Sequence, residues 1–349
     1  MSTDSLLGQG YETHRIDLGA DDEGPLVATL IHREATSATT TDAATDAERP
    51  PILLMHGWSD YVLDRGLMEH LGRRGHDVWG LDLRKHGRSL LPGQTATEID
   101  HLNRYDAELG ASLRIIGRER PPVLLAHSTG GLTAALWAQR NPGTVRGLAL
   151  NSPWIEMHLG PVTRALAEAP VRMLAKRWGQ RPILRTGSDH VARASHRDFG
   201  GAYDYDLALK PPGGHPFPAA TLHAIIDGQR RLAAAGPLAI PVLVLHSDRT
   251  RIGARFSEEM RRSDSVLDVR SLATAAAALS PRARIEAVPG ARHDVFLSDA
   301  DARARAIGIL DDWLETSFPG APIMGASDHA EDLGRPVPVP SGEELADDR

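Results

Sequence analysis

The chain has 349 residues, 41% hydrophobic and 24% charged, the make-up of a globular protein long enough for one large domain or two ordinary ones. It has no cysteine, which excludes disulfides, thiol nucleophiles and thiolate metal sites. The formal charge of -7 gathers at one end: residues 328–349 carry seven acids against Arg335 and Arg349, so the remaining body is near neutral and nucleic acid is not expected as a main partner.

No apolar stretch approaches the roughly 20 residues needed to span a bilayer. The opening "MSTDSLLGQGYETHRIDLG" lacks the basic-then-apolar pattern of a secretory signal, and a cytoplasmic location is expected. Arginine far outnumbers lysine (Lys85, Lys176, Lys210), which reads as the coding bias of a GC-rich bacterial genome.

Two β-like segments, "YETHRIDLG" and "GPLVATLIHRE", open the chain, and the Ala/Thr/Asp-rich residues 35–50 read as an exposed, mobile loop. Short apolar runs bounded by Pro or Gly then alternate with helix-like segments. In order these are strand 50–57, helix 64–74, strand 76–83, helix 103–119, strand 121–128, helix 130–141 and strand 145–153. The alternation resumes with strand 240–247, helix 269–279, strand 283–290 and helix 301–317. Continuous apolar runs of this length suit strands buried on both faces. Their alternation with helices predicts an α/β fold, a mainly parallel central sheet with helices on both faces. Chemistry in such sheets gathers at the carboxyl ends of the strands. The pattern fails over about 154–236, which reads as a helical cap inserted in a domain spanning 1–317, and the acidic 318–349 reads as a disordered tail.

The strand 121–128 ends in "LLAHSTGG". A serine nucleophile must stand exposed on a tight strand-turn-helix with small neighbours, the G-x-S-x-G pattern. Here it reads Ala126-His127-Ser128-Thr129-Gly130, with alanine for the first glycine. The plainer reading is a serine in a glycine-rich loop, but a buried strand precedes Ser128 and a convincing helix follows, whose positive end favours developing negative charge. An oxyanion hole takes one backbone N–H from the residue after the nucleophile, here Thr129, and a second from an earlier loop. "LLMHGWSD" supplies that loop, with Trp58 after His56-Gly57. His293, in "VPGARHDVFLS" past the last strand, is the candidate base, and Asp294 beside it reads as a loop-holding residue. The acid should follow the penultimate strand and precede His293. Asp264, Asp268 and Asp248 all qualify; Asp264 is preferred because its spacing to His293 leaves room for one helix and one strand, and Asp268 reads as a helix cap.

These pieces together resemble an α/β-hydrolase, most similar to the branch of serine aminopeptidases and monoacylglycerol lipases (lysophospholipases). The matching segments are "HGWSD", "GLDLRKHGRS", "AHSTGG", "LNSPW", "DSVLDV" and "GARHD", spread in order over about residues 50–317. By this resemblance Ser128, Asp264 and His293 take the roles of nucleophile, acid and base, and the Trp58 and Thr129 amides form the oxyanion hole. Three positions depart from the family: Ala126 in the elbow, Lys85 where D-x-R-G-H-G-x-S has glycine, and the extra stretch "DRTRIGARFSEEMRRS" before Asp264.

The expected activity is hydrolysis of a small-molecule or lipid-like ester, without cofactor. No H-E-x-x-H or comparable ligand spacing appears, so no metal is expected. Trp154, Met157, Leu159, Met173, Trp178 and Phe217 could line an apolar acyl site or simply pack the cap. Residues 161–200 hold eight Arg/Lys against Glu168, Asp189 and Asp198, which counts against an aminopeptidase, whose substrate ammonium needs carboxylates. The same basic excess fits either anionic esters or a solvated helix surface. His127 and His86 read as structural. An acyltransferase on the same triad and a non-catalytic binding protein remain as alternative readings.

Overall fold

The computed structural model describes residues 2–33, 49–157, 161–184 and 188–319. All but the last two residues of the 35–50 loop, and all but the first two of the 318–349 tail, lie outside these.

The chain runs through β1 (Ser2–Asp4), β2 (Gly8–Asp21), β3 (Gly24–Arg33), β4 (Ile52–Met55), α1 (Arg65–Arg73), β5 (Val78–Asp82), α2 (Asp106–Ile116), β6 (Val123–His127), α3 (Thr129–Arg140) and β7 (Gly147–Asn151). A long excursion follows, with α4 (Pro161–Trp178), β8 (Pro182–Leu184), α5 (His190–Ser195), β9 (Phe217–Pro218) and α6 (Ala219–Ala234). The chain then returns through β10 (Val242–Ser247), α7 (Val269–Ala276), β11 (Ala283–Val288) and α8 (Ala300–Ser317).

Among the described residues the main sheet has nine strands in the order β1-β2-β3-β5-β4-β6-β7-β10-β11. The opening strands form an antiparallel meander whose third member pairs antiparallel to β5. From β5 to β11 every pairing is parallel. Each apolar run expected as a buried strand contains one of these strands.

Alternation of side chains along each strand divides the core into two layers. Leu53, Met55, Leu124, Leu148 and Val244 face one side, where they meet Leu109 of α2, Leu132 and Trp137 of α3, Ile225 of α6 and Leu272 of α7. Ile52, Leu54, Leu125, Leu243 and Leu245 face the other, against Met68 and Leu71 of α1 and Ile307, Leu310 and Trp313 of α8. Because both faces are covered, strands β4, β5, β6, β7 and β10 carry apolar residues almost without interruption.

Two boundaries differ from the sequence expectation. Helix α6 buries Ala224, Ile225 and Leu232 in the sheet-facing layer, so within 154–236 the part outside the two layers ends near Pro218. Phe318, assigned to the tail, is buried edge-on against Trp313 at 5.5 Å, under the Arg146 guanidinium. The folded body runs at least that far because Phe318 fills a slot above Gly147, where an added Cβ would come within 2.7 Å of the ring.

Candidate active site

Ser128 occupies a sharp turn between β6 and α3, with φ 52° and ψ −117°. A non-glycine residue in such a region is strained by about 1–3 kcal/mol and persists only where its surroundings over-determine it. Here they do. The Ser128 N–H donates to Asn151 O at 3.0 Å, and Ser128 O accepts from Gly131 N and Trp154 N, each at 3.0 Å. The small residues explain the packing. A Cβ on Gly130 would lie 2.3 Å from the backbone oxygen of His56, which no side chain tolerates. Ala126, by contrast, is buried in the core layer of β6, where its methyl has room. The departure from G-x-S-x-G therefore falls at a position where the space admits a methyl.

The loop after β4 packs directly on this turn: a Cβ on Gly57 would meet Ser128 Cβ at 3.0 Å. His56 orients it, with Nδ1 2.8 Å from Gly57 O and Nε2 accepting from Leu83 N at 3.1 Å. That pair of contacts requires the proton on Nδ1, donated to the Gly57 carbonyl. The peptide bonds are trans, so fixing the Gly57 carbonyl on His56 turns the Trp58 N–H the opposite way. The peptide-orienting role of His56 was not read from the sequence, although the His-Gly pair at a strand end was its signal.

His293 joins Ser128 and Asp264. Its Nε2 is 3.1 Å from Ser128 Oγ and its Nδ1 is 2.9 Å from Asp264 Oδ2. All three residues are buried. The other oxygen of Asp264 accepts from Val266 N at 2.7 Å and Leu267 N at 2.8 Å. Burial alone would raise the Asp264 carboxyl, but the His293 charge and hydrogen bond, with the Leu267 and Val266 amides, outweigh it and hold the pKa below the usual carboxylate range.

The stretch before Asp264 leaves the sheet and returns to it. Thr250 and Asp264 form a parallel β-bridge, with Asp264 N donating to Arg249 O at 3.0 Å and Arg251 N donating to Asp264 O at 2.8 Å. The extra residues form an excursion, and Asp264 re-enters beside the end of β10. The two competitors are held elsewhere: Asp268 caps α7 by accepting from Ser271 N, and Asp248 accepts from Gly290 N and pairs with Arg249.

Asp294 ties the His293 loop to β7, accepting from Asn151 Nδ2 at 2.7 Å and Phe296 N at 3.0 Å. The His127 ring lies 5.0 Å from that of His293, with Asp60 at 3.6 Å and Asp294 at 4.0 Å. His86 Nδ1 donates to Arg84 O, 2.8 Å away, and burial pushes its pKa down to about 3. Lys85 has φ 58°, the left-handed conformation suited to glycine, and its buried ammonium meets Asp21, Glu23 and Glu98 at 2.7–2.8 Å. Among the described residues, Asp60/His127/Asp294 and Asp21/Glu23/Glu98 could each offer three atoms to a metal. In both groups a lysine ammonium is already in place, Lys210 on Asp60 in the first and Lys85 on all three carboxylates in the second.

Trp58, Phe217 and Trp154 form an aromatic wall, with ring centroids 4.7 Å apart for Trp58–Phe217 and 6.5 Å for Trp154–Phe217. Of the other residues considered for an acyl site, Met173 and Trp178 are 67% and 43% exposed and face solvent. Leu159 lies outside the described residues.

Residues 46–301 match the family model described as "Serine aminopeptidase, S33". The chain belongs to this family. Among curated relatives, a monoacylglycerol lipase of Mycolicibacterium smegmatis is 27% identical over 71% of this chain and 82% of its own. Lysophospholipase L2 of Escherichia coli K12 is 26% identical over 87% of this chain and 94% of its own. A crystal structure of a soluble variant of monoglyceride lipase from Saccharomyces cerevisiae superposes with a TM-score of 0.62, at 17% identity over 88% of this chain and 97% of that one. The S33 family member described here is thus an α/β-hydrolase in fold and a hydrolase by family. No described helix is long and apolar enough to cross a membrane.

Proposed function

We propose that this chain hydrolyses carboxylic esters through a Ser128–His293–Asp264 triad, acting on monoacylglycerol- or lysophospholipid-like substrates. The observation that carries the reading is the continuous relay from Ser128 Oγ through His293 to Asp264, at 3.1 and 2.9 Å. In this mechanism His293 Nε2 takes the Ser128 proton as Oγ attacks the ester carbonyl. Asp264 holds the tautomer with the proton on Nδ1 and stabilises the imidazolium. The Trp58 and Thr129 amides receive the oxyanion, aided by the positive end of α3. His293 then returns the proton to the leaving alcohol, and water releases the acyl group by the same route in reverse. The segment 154–218 serves as the cap, and its Phe217 and Trp154 join Trp58 in walling the site. The substrate class draws further support from the names of the two curated relatives.

A p-nitrophenyl ester series of increasing acyl length, run beside monoacylglycerol and lysophosphatidylcholine, tests the reading. Ser128→Ala is expected to lose hydrolysis by at least about 10³-fold. Full activity in that variant would overturn the mechanism. Preferential turnover of aminoacyl p-nitroanilides would move the substrate class to peptides.

A further inference from the structure

Four consecutive residues of the loop after β4 are each gripped by the segment 206–217. The Trp58 ring stands edge-on to Phe217 at 4.7 Å, and Gly214 packs so closely that an added Cβ would reach 2.6 Å from the indole. Ser59 Oγ accepts from His215 N at 2.8 Å and hydrogen-bonds His215 Nδ1 at 2.8 Å. The Asp60 carboxylate pairs with the buried ammonium of Lys210 at 2.8 Å, and Tyr61 Oη accepts from Asp206 N at 2.9 Å.

Packing alone does not account for these contacts. Ser59 has φ 53°, a left-handed conformation that a non-glycine residue keeps only when its neighbours impose it. Burying the Lys210–Asp60 pair is a poor source of stability, because desolvation offsets its Coulomb attraction; its 2.8 Å contact does tie residue 210 to residue 60. The other Asp60 oxygen lies 3.6 Å from His127, the residue before Ser128, so the grip reaches the serine turn as well as the loop. The Gly57–Trp58 peptide, whose carbonyl is held by His56, sits one residue from Ser59.

We propose that residues 206–217 hold the Trp58 amide in its working position, with Lys210 and His215 as positioning residues for the reaction. The inference rests on the role of the Trp58 amide in the function proposed above. Neither residue touches the reacting atoms: they act through Asp60 and Ser59 on the peptide beside them. An enzyme whose segment 206–217 is unlatched keeps its triad but binds the oxyanion poorly.

The test compares Ser59→Gly, Lys210→Met and Lys210→Arg with the starting enzyme. Steady-state hydrolysis of p-nitrophenyl butyrate is measured, with inhibition by an aliphatic trifluoromethyl ketone and by the matching methyl ketone. The fluorinated ketone forms a serine hemiketal whose oxyanion needs the hole; the methyl ketone reports ground-state binding. Ser59→Gly and Lys210→Met are expected to lower kcat about 10- to 100-fold with KM within about threefold. Trifluoromethyl ketone affinity should fall by the same factor and methyl ketone affinity should hold. Lys210→Arg should recover most of the loss. Glycine adopts the Ser59 conformation without strain, so Ser59→Gly remains informative if Lys210→Met fails to fold. Unchanged kcat and unchanged trifluoromethyl ketone affinity in Ser59→Gly would overturn the inference. Activity in Ser128→Ala would instead overturn the triad reading; an inactive Ser128→Ala beside an unaffected Ser59→Gly sinks the positioning role alone.

Discussion

At Ser128 a strained backbone, a helix N-terminus and an imidazole at 3.1 Å meet in one residue. The glycines around it are not equivalent. Gly130 leaves no space for a methyl because a Cβ would lie 2.3 Å from His56 O, whereas Ala126 already carries one inside the core. Gly130→Ala should therefore destabilise by about 3 kcal/mol or more and abolish turnover, since a backbone oxygen cannot step aside. Ala126→Gly, which restores the familiar pattern, should lose about 1 kcal/mol through a looser strand and keep kcat within about twofold. Chemical denaturation and ester kinetics on the pair check both statements. The acid is tested in the same way. Asp264→Asn should lower kcat by about 10³- to 10⁴-fold, because asparagine offers Nδ1 the wrong partner and no charge to the imidazolium. Near-normal turnover would remove Asp264 from the triad.

Among the elements, the excursion before Asp264 shows how a loop can leave the sheet and return beside the strand it left. The bridge between Thr250 and Asp264 closes it, so the Asp264 backbone lies beside the chain just past the end of β10. Spacing along the sequence favoured Asp264 over its neighbours, but only the bridge explains how the added residues are accommodated. Asp268 belongs to the next element, as N-cap of α7 through Ser271 N at 2.8 Å. Asp268→Ala is expected to lower unfolding stability by about 0.5–2 kcal/mol while kcat stays at the level of the unmodified enzyme, measured by denaturant melts and ester turnover. A collapse of kcat in a folded Asp268→Ala would instead assign it to the site. Helix α6 carries a different lesson. Its sequence lies in a stretch where the alternation of buried strands and helices fails, and its place in the sheet-facing layer follows from partners such as Leu102 and Leu136, which crowd Gly228 from distant parts of the chain.

For the whole molecule, buried histidines contribute to the response to acid between pH 7 and 4, above the range in which the lowered carboxylates act. Burial holds His76 at a pKa of about 4 and His86 at about 3, both below the 6.5 of an exposed imidazole. A depressed histidine contributes stability that is complete above the unfolded pKa and is lost as pH falls through the folded value. Between about pH 6.5 and 4 the unfolded chain binds the extra proton, and His76 alone withdraws on the order of 3 kcal/mol by pH 4. Denaturant midpoints should therefore fall steadily from pH 7 to 4, and His76→Gln should flatten that slope even if it lowers stability at pH 7. A pH-independent midpoint over this range would contradict the burial argument.

The sequence by itself determined the alternation of apolar strands with helices, the elbow around Ser128, and the order in which His56-Gly57-Trp58, Ser128 and His293 arrive at strand ends, while it favoured Asp264 over Asp268 and Asp248 without deciding among them. These were legible because they are local: apolar periodicity, small residues at a tight turn, and chain order along a parallel sheet. Only the tertiary structure decided the rest. Gly130 is required because of how close the loop after β4 comes, a distance no local pattern encodes, while Ala126 keeps its methyl inside the core. Lys85 stands in a glycine position because Asp21 and Glu23 of the distant β2–β3 turn converge with Glu98 on its ammonium. The extra residues before Asp264, the sheet-facing side of α6 and the grip of 206–217 on the loop after β4 are likewise contacts between segments far apart in sequence. Their free energies depend on distance and desolvation, and neither quantity exists until the chain has folded.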